Sequence, residues 1–215
     1  MIIIGAKGFA KELLAALYLN KPNEDFVFYD DVNNGKERLL FNRYNILSTR
    51  EEAIKYLDTV DNRYLLGIGN PLLRYNLFKV FNSLGGNLTG MVSENATIGH
   101  FGNDIGQGTA ILNNVVIESD NKVGMGCLIH NAAFISHNVT IGDFCEISPS
   151  VNLLGAVSIG NFCSVGTNAA ILPKIKIGNN VVIGAGAVVT KNIPDNCMAA
   201  GVPAVIKSQI TPVKT

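Results

Sequence analysis

From Ile105 to Val189, every sixth residue of this 215-residue chain is a branched aliphatic. The series runs Ile105, Ile111, Ile117, Val123, Ile129, Ile135, Ile141, Ile147, Leu153, Ile159, Val165, Ile171, Ile177, Ile183 and Val189, without a miss. A period of six suits neither an amphipathic helix at 3.6 nor a simple strand at 2. It suits a short flat strand followed by a corner. Three such sides close a triangular coil, and a hexapeptide period is the mark of a β-helix. The aliphatic residue points into the prism, and the residue two earlier is its inward neighbour. That neighbour is small or β-branched in most hexads, as at Thr109, Val115, Ala133, Val139, Val157 and Ala169. Gly often follows the aliphatic residue, as at Gly124, Gly142 and Gly160, where a corner needs a permissive backbone. The unbroken series makes five coils. Val92 and Ile98 extend it past a one-residue slip between His100 and Asp104, which predicts a sixth. At strand spacing the prism is on the order of 25 Å tall.

The cysteines test this geometry. Cys127, Cys145 and Cys163 are one coil apart and should stack as a ladder on one inner face. Parallel side chains on stacked strands do not converge on a metal, so they read as small inward hydrophobes rather than as a metal or redox site. Cys197 falls in an expected C-terminal loop and receives no role.

Charge narrows the classes of function. Lys and Arg together number 17, as do Asp and Glu, so there is no basic field for nucleic acid or anionic lipid. The sequence opens on the apolar strand Met1–Ile4, with no charged leader and no long apolar run. It is therefore expected to have no signal peptide and no membrane span, and to be cytoplasmic.

The segment 1–87 has a different character. Ile2–Ile4 is a strand, Gly5-Ala6-Lys7-Gly8-Phe9-Ala10 a glycine turn, and Lys11–Leu19 carries a helical pattern. Phe26–Tyr29 is a second strand ending in Asp30-Asp31. Thr49-Arg50-Glu51-Glu52 fits a capping box before a short helix. Tyr64–Ile68 is a third strand, followed by Gly69-Asn70. There Asn70 can cap, and Pro71 can start, a helix reaching about Leu84. Alternating strands and helices predict a small parallel sheet, a half-Rossmann unit. The segment 88–215 is then the β-helix with a C-terminal loop.

A glycine turn between a strand and a helix N-terminus can hold an anion, above all phosphate. Acidic residues at the end of the next strand, here Asp30 and Asp31, sit where a ribose or base contact is expected. NAD binding, nucleotide-sugar binding and a purely structural unit are all open on this pattern. The segment is too short for a full dinucleotide fold, which favours the nucleotide sugar. In the repeat region, His137 lies near a corner in Phe134-Ile135-Ser136-His137-Asn138-Val139-Thr140-Ile141-Gly142, where a bland exposed histidine is also possible.

Taken together, these motifs resemble a two-domain family of bacterial sugar acyltransferases with hexapeptide repeats. It includes N-acetyltransferases of UDP-4-amino sugars and relatives of the sialic acid O-acetyltransferases. The matching residues are Ile3-Ile4-Gly5-Ala6-Lys7-Gly8, Tyr29-Asp30-Asp31, Gly67-Ile68-Gly69-Asn70, and the ending Ile193-Pro194-Asp195 to Gly201-Val202-Pro203-Ala204. The resemblance implies an α/β half-Rossmann domain followed by a left-handed parallel β-helix, and a homotrimer. It implies acetyl-CoA as co-substrate and a nucleotide-linked amino sugar as acceptor, with Gly5, Ala6, Lys7, Asp30, Asp31 and Gly69 at the sugar-nucleotide site. His137 takes the place of the family's general base. The coenzyme is expected in the groove between two prisms, along edges carrying Glu146, Gly155, Thr167 and Ala185, with a backbone N–H near Gly155 facing the oxyanion.

Two residues depart from the family pattern. Many members carry an acidic residue after the catalytic histidine, where this chain has Asn138. Close relatives carry a second histidine where it has Glu146. A neutral imidazole suits proton removal near neutral pH, and no Cys or Ser is paired with a base, so attack on the thioester is expected to be direct. Four other readings are weaker. A γ-type carbonic anhydrase needs three zinc histidines, whereas His130 and His137 fall on different sides of the coil. A fused nucleotidyltransferase would need a longer first domain. A non-catalytic scaffold is an alternative that Asn138 and Glu146 leave open, and an O-acetyltransferase of sialic acid is another, against which the Gly5 turn with Asp30-Asp31 favours the nucleotide sugar. The sequence fixes neither the sugar, nor UDP against dTDP, nor N- against O-acylation.

Overall fold

A computed structural model describes residues 1–20, 24–32 and 38–213. The chain divides into two compact units, Met1–Gly69 with Leu73–Gly90, and Asn70–Leu72 with Met91–Thr215.

The first unit is a six-stranded sheet flanked by helices. Its strands are β1 (Ile2–Ile4), β2 (Val27–Tyr29), β3 (Leu39–Leu40), β4 (Tyr44–Leu47), β5 (Arg63–Leu66) and β6 (Asn87–Leu88). Its helices are α1 (Gly8–Asn20), α2 (Arg50–Thr59) and α3 (Pro71–Ser83). The strand order is β3-β4-β2-β1-β5-β6, parallel except for the edge hairpin of β3 with β4. β1 is central, and all three of its isoleucines are buried, as a strand covered on both faces requires. The predicted capping box is present: Thr49 Oγ1 accepts from Glu52 N–H while Glu52 reaches back to the Thr49 N–H. The chain leaves β1 toward β2 on one side and returns through α2 to β5 on the other. The carboxyl ends of β1, β2 and β5 therefore frame a topological switch point, where open α/β sheets bind ligands. The sequence reading had three strands. The structure adds β3, β4 and β6, whose short runs carry too few alternating apolar residues to announce themselves.

The second unit is the prism. Its two-residue strands form three parallel sheets, with registers that advance by one coil. Leu128-Ile129 pairs with Ala110-Ile111 below and Glu146-Ile147 above. Met91-Val92 and Thr97-Ile98 form the sixth coil. The slip before Asp104 is absorbed where the Asn103 amide donates to the carbonyls of Gly99 and Glu118. The core is the aliphatic series and its inward neighbours, nearly all buried.

Two hydrogen-bond ladders run up the prism. The three cysteines do stack, and each thiol donates to a corner carbonyl: Cys127 to Gly142, Cys145 to Gly160 and Cys163 to Gly178, at 3.0–3.1 Å. Thr109 makes the equivalent bond to Gly124 O at the bottom of the column. These residues are thus donors as well as small hydrophobes, and burial raises the Cys145 thiol well above its ordinary pKa. Cys197 is not a loop residue. It is buried in the strand Cys197–Ala200, which adds to the sheet above Val182-Ile183. At one corner an Asx ladder caps successive backbone donors. Met125 N–H donates to Asp143 Oδ1, Asp143 N–H to Asn161 Oδ1, Asn161 N–H to Asn179 Oδ1 and Asn179 N–H to Asp195 Oδ1, at 2.7–2.8 Å. Val205–Gln209 runs back antiparallel to Cys197–Ala200.

Candidate functional site

The first unit carries a pocket of about 370 Å³ at the switch point. Gly5, Ala6, Lys7, Asp30, Asp31 and Gly69, scattered over three connections in the sequence, all line it. Gly5 sits at φ +99°, and a Cβ there would lie 2.8 Å from Ile68 Cδ1 and 2.9 Å from Gly67 O. Only glycine lets the turns after β1 and β5 pack this closely. α1 begins at Gly8, so its N-terminal peptide dipoles open beside Ala6 and Lys7 and favour an anion there.

The lining contributed by the end of β2 is acidic. Asp30 Oδ1 accepts from Val32 N–H at 3.1 Å. The Tyr29 hydroxyl donates to Asp31 Oδ2 at 3.0 Å. Burial, then that bond, pushes the Tyr29 phenol up to about 12. The phenol therefore stays protonated and holds one oxygen of Asp31. The pocket lining thus carries one cation, Lys7, and two carboxylates, Asp30 and Asp31. Tyr29 and Ile68 belong to the motifs quoted from the sequence but were given no place in the site, because their roles depend on contacts between separate strands.

In the second unit, His137 and Asn138 are exposed at the corner that follows Phe134-Ile135. Asn138 adopts φ +60°, a left-handed conformation asparagine tolerates. Its Oδ1 lies 2.9 Å from His137 Nδ1. An amide oxygen is an acceptor only, so Nδ1 carries a proton, and in the neutral ring Nε2 is the nitrogen with the lone pair. Gly155 is one coil above. A Cβ there would lie 2.8 Å from both Cε1 and Nε2 of His137, so the missing side chain is the space the imidazole fills. The Gly155 carbonyl accepts from Lys174 N–H. Among the described residues, however, nothing accepts from the Gly155 N–H. Corner N–H groups at Met125, Asp143, Asn161 and Asn179 are instead capped by the Asx ladder.

The remaining sequence candidates lie elsewhere on the prism. Thr167 and Ala185 are exposed on a different corner, in a column with Asn131 and Pro149. Glu146 is in the strand Glu146-Ile147, and its Oε1 lies 3.5 Å from His130 Nε2. The chain therefore gathers His137, Asn138 and Gly155 on one edge, and holds Thr167 and Ala185 on another. Among the described residues no cluster of three or more His, Cys, Asp or Glu could hold a metal ion. Nor is any helix long and apolar enough to cross a membrane.

Comparison with known proteins agrees with both halves of this description. Residues 1–81 match the model of the PglD N-terminal domain, and residues 156–191 match that of the bacterial transferase hexapeptide (six repeats). No curated protein sequence matches the chain. Among solved structures, perosamine N-acetyltransferase from Caulobacter crescentus, in complex with CoA and GDP-perosamine, superposes with a TM-score of 0.87 at 26% identity, covering 97% of this chain and 96% of that one. The acetyltransferase domain of PglB from Neisseria gonorrhoeae, in complex with acetyl coenzyme A, superposes at 0.85 with 26% identity, covering 96% and 98%. WeeI from Acinetobacter baumannii superposes at 0.86 with 25% identity, over the same shares. In both its matched domains and these superpositions the chain is similar to the hexapeptide-repeat sugar acyltransferase family. As in that family, a Rossmann-like domain precedes a left-handed parallel β-helix, and no insertion interrupts the five regular coils from Ile105 to Val189.

Proposed function

We propose that the protein transfers the acetyl group of acetyl-CoA to the amino group of a nucleotide-linked amino sugar, with His137 as general base. The observation that carries this reading is the corner itself. A tautomer-fixed imidazole stands one coil from a backbone N–H that no acceptor takes among the described residues. The sugar amine attacks the thioester carbonyl while His137 Nε2 takes its proton. Negative charge develops on the carbonyl oxygen, and the Gly155 N–H is placed to stabilise it. Collapse breaks the carbon–sulfur bond, and the leaving sulfur takes the proton from the imidazolium. The products are the acetamido sugar and free CoA thiol. No acyl-enzyme is required, since every thiol of the chain is buried in the prism.

Asn138 orients the ring and, being neutral, adds no charge beside it. The pocket's polarity supports the acceptor class: a diphosphate suits Lys7 and the α1 N-terminus, and a ribose or base suits Asp30 and Asp31. The C. crescentus relative, solved with CoA and GDP-perosamine, supports a nucleotide 4-amino sugar. The separation of the His137 edge from the Thr167–Ala185 edge supports a homotrimer, in which the coenzyme lies between two prisms. A cytoplasmic location is consistent with the expected reduced thiols.

The experiment is a thiol-release assay with acetyl-CoA against a panel of GDP-, UDP- and dTDP-linked 4-amino sugars. Release with at least one of them, and loss of release on removing the amine, is expected. No release with any, from protein that binds CoA, would leave a binding scaffold instead.

A further inference from the structure

Between Glu146 and Asp195 the chain carries no acidic residue, and its charged side chains there are Lys174, Lys176 and Lys191 alone. All three are exposed. The backbone register places them on the edge of the prism that carries His137. Ala156 N–H donates to His137 O at 3.0 Å and Lys174 N–H to Gly155 O at 2.9 Å, so the Lys174 corner is two coils above the imidazole. Lys176-Ile177 pairs above Ser158-Ile159, which pairs above Thr140-Ile141. The next corner is shortened: Val189 pairs with Ile171, Ile193 already bridges Ile177, and the Asn192 side chain accepts from Lys176 N–H at 2.8 Å. Lys191 therefore stands over the Pro173-Lys174 corner, three coils above His137. Among the described residues none of the three lysines is in an ion pair. One coil below His137, the same edge carries Glu118 and Asp120 against the single cation Lys122. The edge is thus cationic above the imidazole and, on balance, anionic below it.

We propose that Lys174, Lys176 and Lys191 hold the phosphates of the coenzyme and so fix which way it lies along the prism. This rests on the acetyl-CoA reading above. Coenzyme A carries a diphosphate and a 3′-phosphate at the end remote from its thiol. At strand spacing, Lys174 and Lys191 stand about 10 and about 14 Å above His137. The pantetheine arm spans on the order of 15 Å by the reach of an extended chain. A thioester placed between His137 and the Gly155 N–H therefore brings the phosphates to the level of the lysines when the arm runs upward. Running downward, the arm would bring them to Glu118 and Asp120 instead. The ammonium group suits the upper site, because a compact cation with three donors takes phosphate oxygens as a point charge.

The test titrates the full-length protein calorimetrically with CoA, 3′-dephospho-CoA, GDP and UDP. It compares wild type with Lys174→Gln, Lys176→Gln and Lys191→Gln, singly and together, and with the three Lys→Arg changes combined. An exposed charge pair contributes little alone, so each single variant should lose up to about fivefold in CoA affinity. The triple Gln variant should lose at least tenfold at low salt, and the triple Arg variant should stay within threefold of wild type. The loss should shrink as NaCl rises toward about 1 M, where surface attraction is screened, whereas a damaged prism would bind weakly at every salt concentration. Wild type should prefer CoA to 3′-dephospho-CoA, and the triple Gln variant should not. GDP and UDP affinity should hold. A triple Gln variant within threefold of wild type for CoA would overturn the proposal, as would a loss that salt does not diminish. A loss for GDP and UDP instead would assign the lysines to the nucleotide sugar and overturn it as well. Wild type that binds no CoA would defeat the acetyl-CoA reading and this proposal with it. Wild type that binds CoA through the lysines, yet releases no thiol with any amino sugar, would defeat the proposed function alone.

Discussion

At Gly155 the important atom is one the residue lacks. Its φ is not positive, so backbone freedom is not the reason for glycine there; the imidazole of His137 occupies the volume of the missing Cβ. Gly155→Ala should displace the ring and lower kcat by roughly 10²-fold, in the range of a lost general base or oxyanion donor. CoA affinity should change far less, and single-turnover kinetics beside a CoA titration would separate the two. Asn138 tests the other side of the ring. A carboxylate in its place favours imidazolium over imidazole. Asn138→Asp should therefore move the acidic limb of the kcat/KM profile to higher pH, by about one unit, while Asn138→Ala should leave the limb in place and lower the plateau. A profile that is the same in all three proteins would show that Nδ1 and its partner have no part in the chemistry.

At the scale of elements, the ladders explain why the prism tolerates polar atoms inside. The thiol of Cys145 donates to the Gly160 carbonyl just as the Thr109 hydroxyl donates to that of Gly124. Cys145→Ala should cost about 1–2 kcal/mol by leaving that carbonyl without its donor, and Cys145→Thr should keep the bond despite its extra methyl group. Thermal unfolding of the two variants would rank them, and an Ala variant as stable as wild type would show the thiol to be only a filler. In the α/β unit, Asp61 accepts from Arg63 and lies 3.1 Å from the Met1 ammonium. The Arg63 guanidinium, first of all, holds its carboxyl well below the usual carboxylate range. A depressed folded-state pKa gives stability that is present above the unfolded value of 3.8 and lost as pH falls below it. Asp61→Asn should therefore flatten the loss of stability below about pH 4, and unfolding midpoints between pH 2 and pH 6 would read it. The repeat elements were legible because a period of six constrains each residue twice, by face and by coil, so the cysteine column and the extra coil follow from spacing. β3, β4 and β6 were not legible, because Leu39-Leu40, Tyr44–Leu47 and Asn87-Leu88 are too short or too mixed with polar residues to form an apolar run like Ile2–Ile4. Cys197 was missed because the coil that holds it departs from the hexad.

For the molecule as a whole, the proposal is a catalyst assembled from copies. His137 and Gly155 stand on one corner of the prism, and Thr167 and Ala185 on another. If the coenzyme lies between two prisms, His137→Ala and Ala185→Trp should each be inactive alone. Mixed by co-refolding, they should recover up to about a quarter of the wild-type rate, since one interface in each mixed trimer is intact. No recovery in demonstrably mixed trimers would place the whole site on one copy. The central claim is narrower than the assembly and can be tested without it: the proton leaves the attacking amine through His137. The most direct measurement is kcat for His137→Ala against wild type, with acetyl-CoA and the nucleotide amino sugar both saturating and CoA binding checked in parallel. The account predicts a fall of at least about 10²-fold with CoA affinity intact; a kcat within a few-fold of wild type would contradict it.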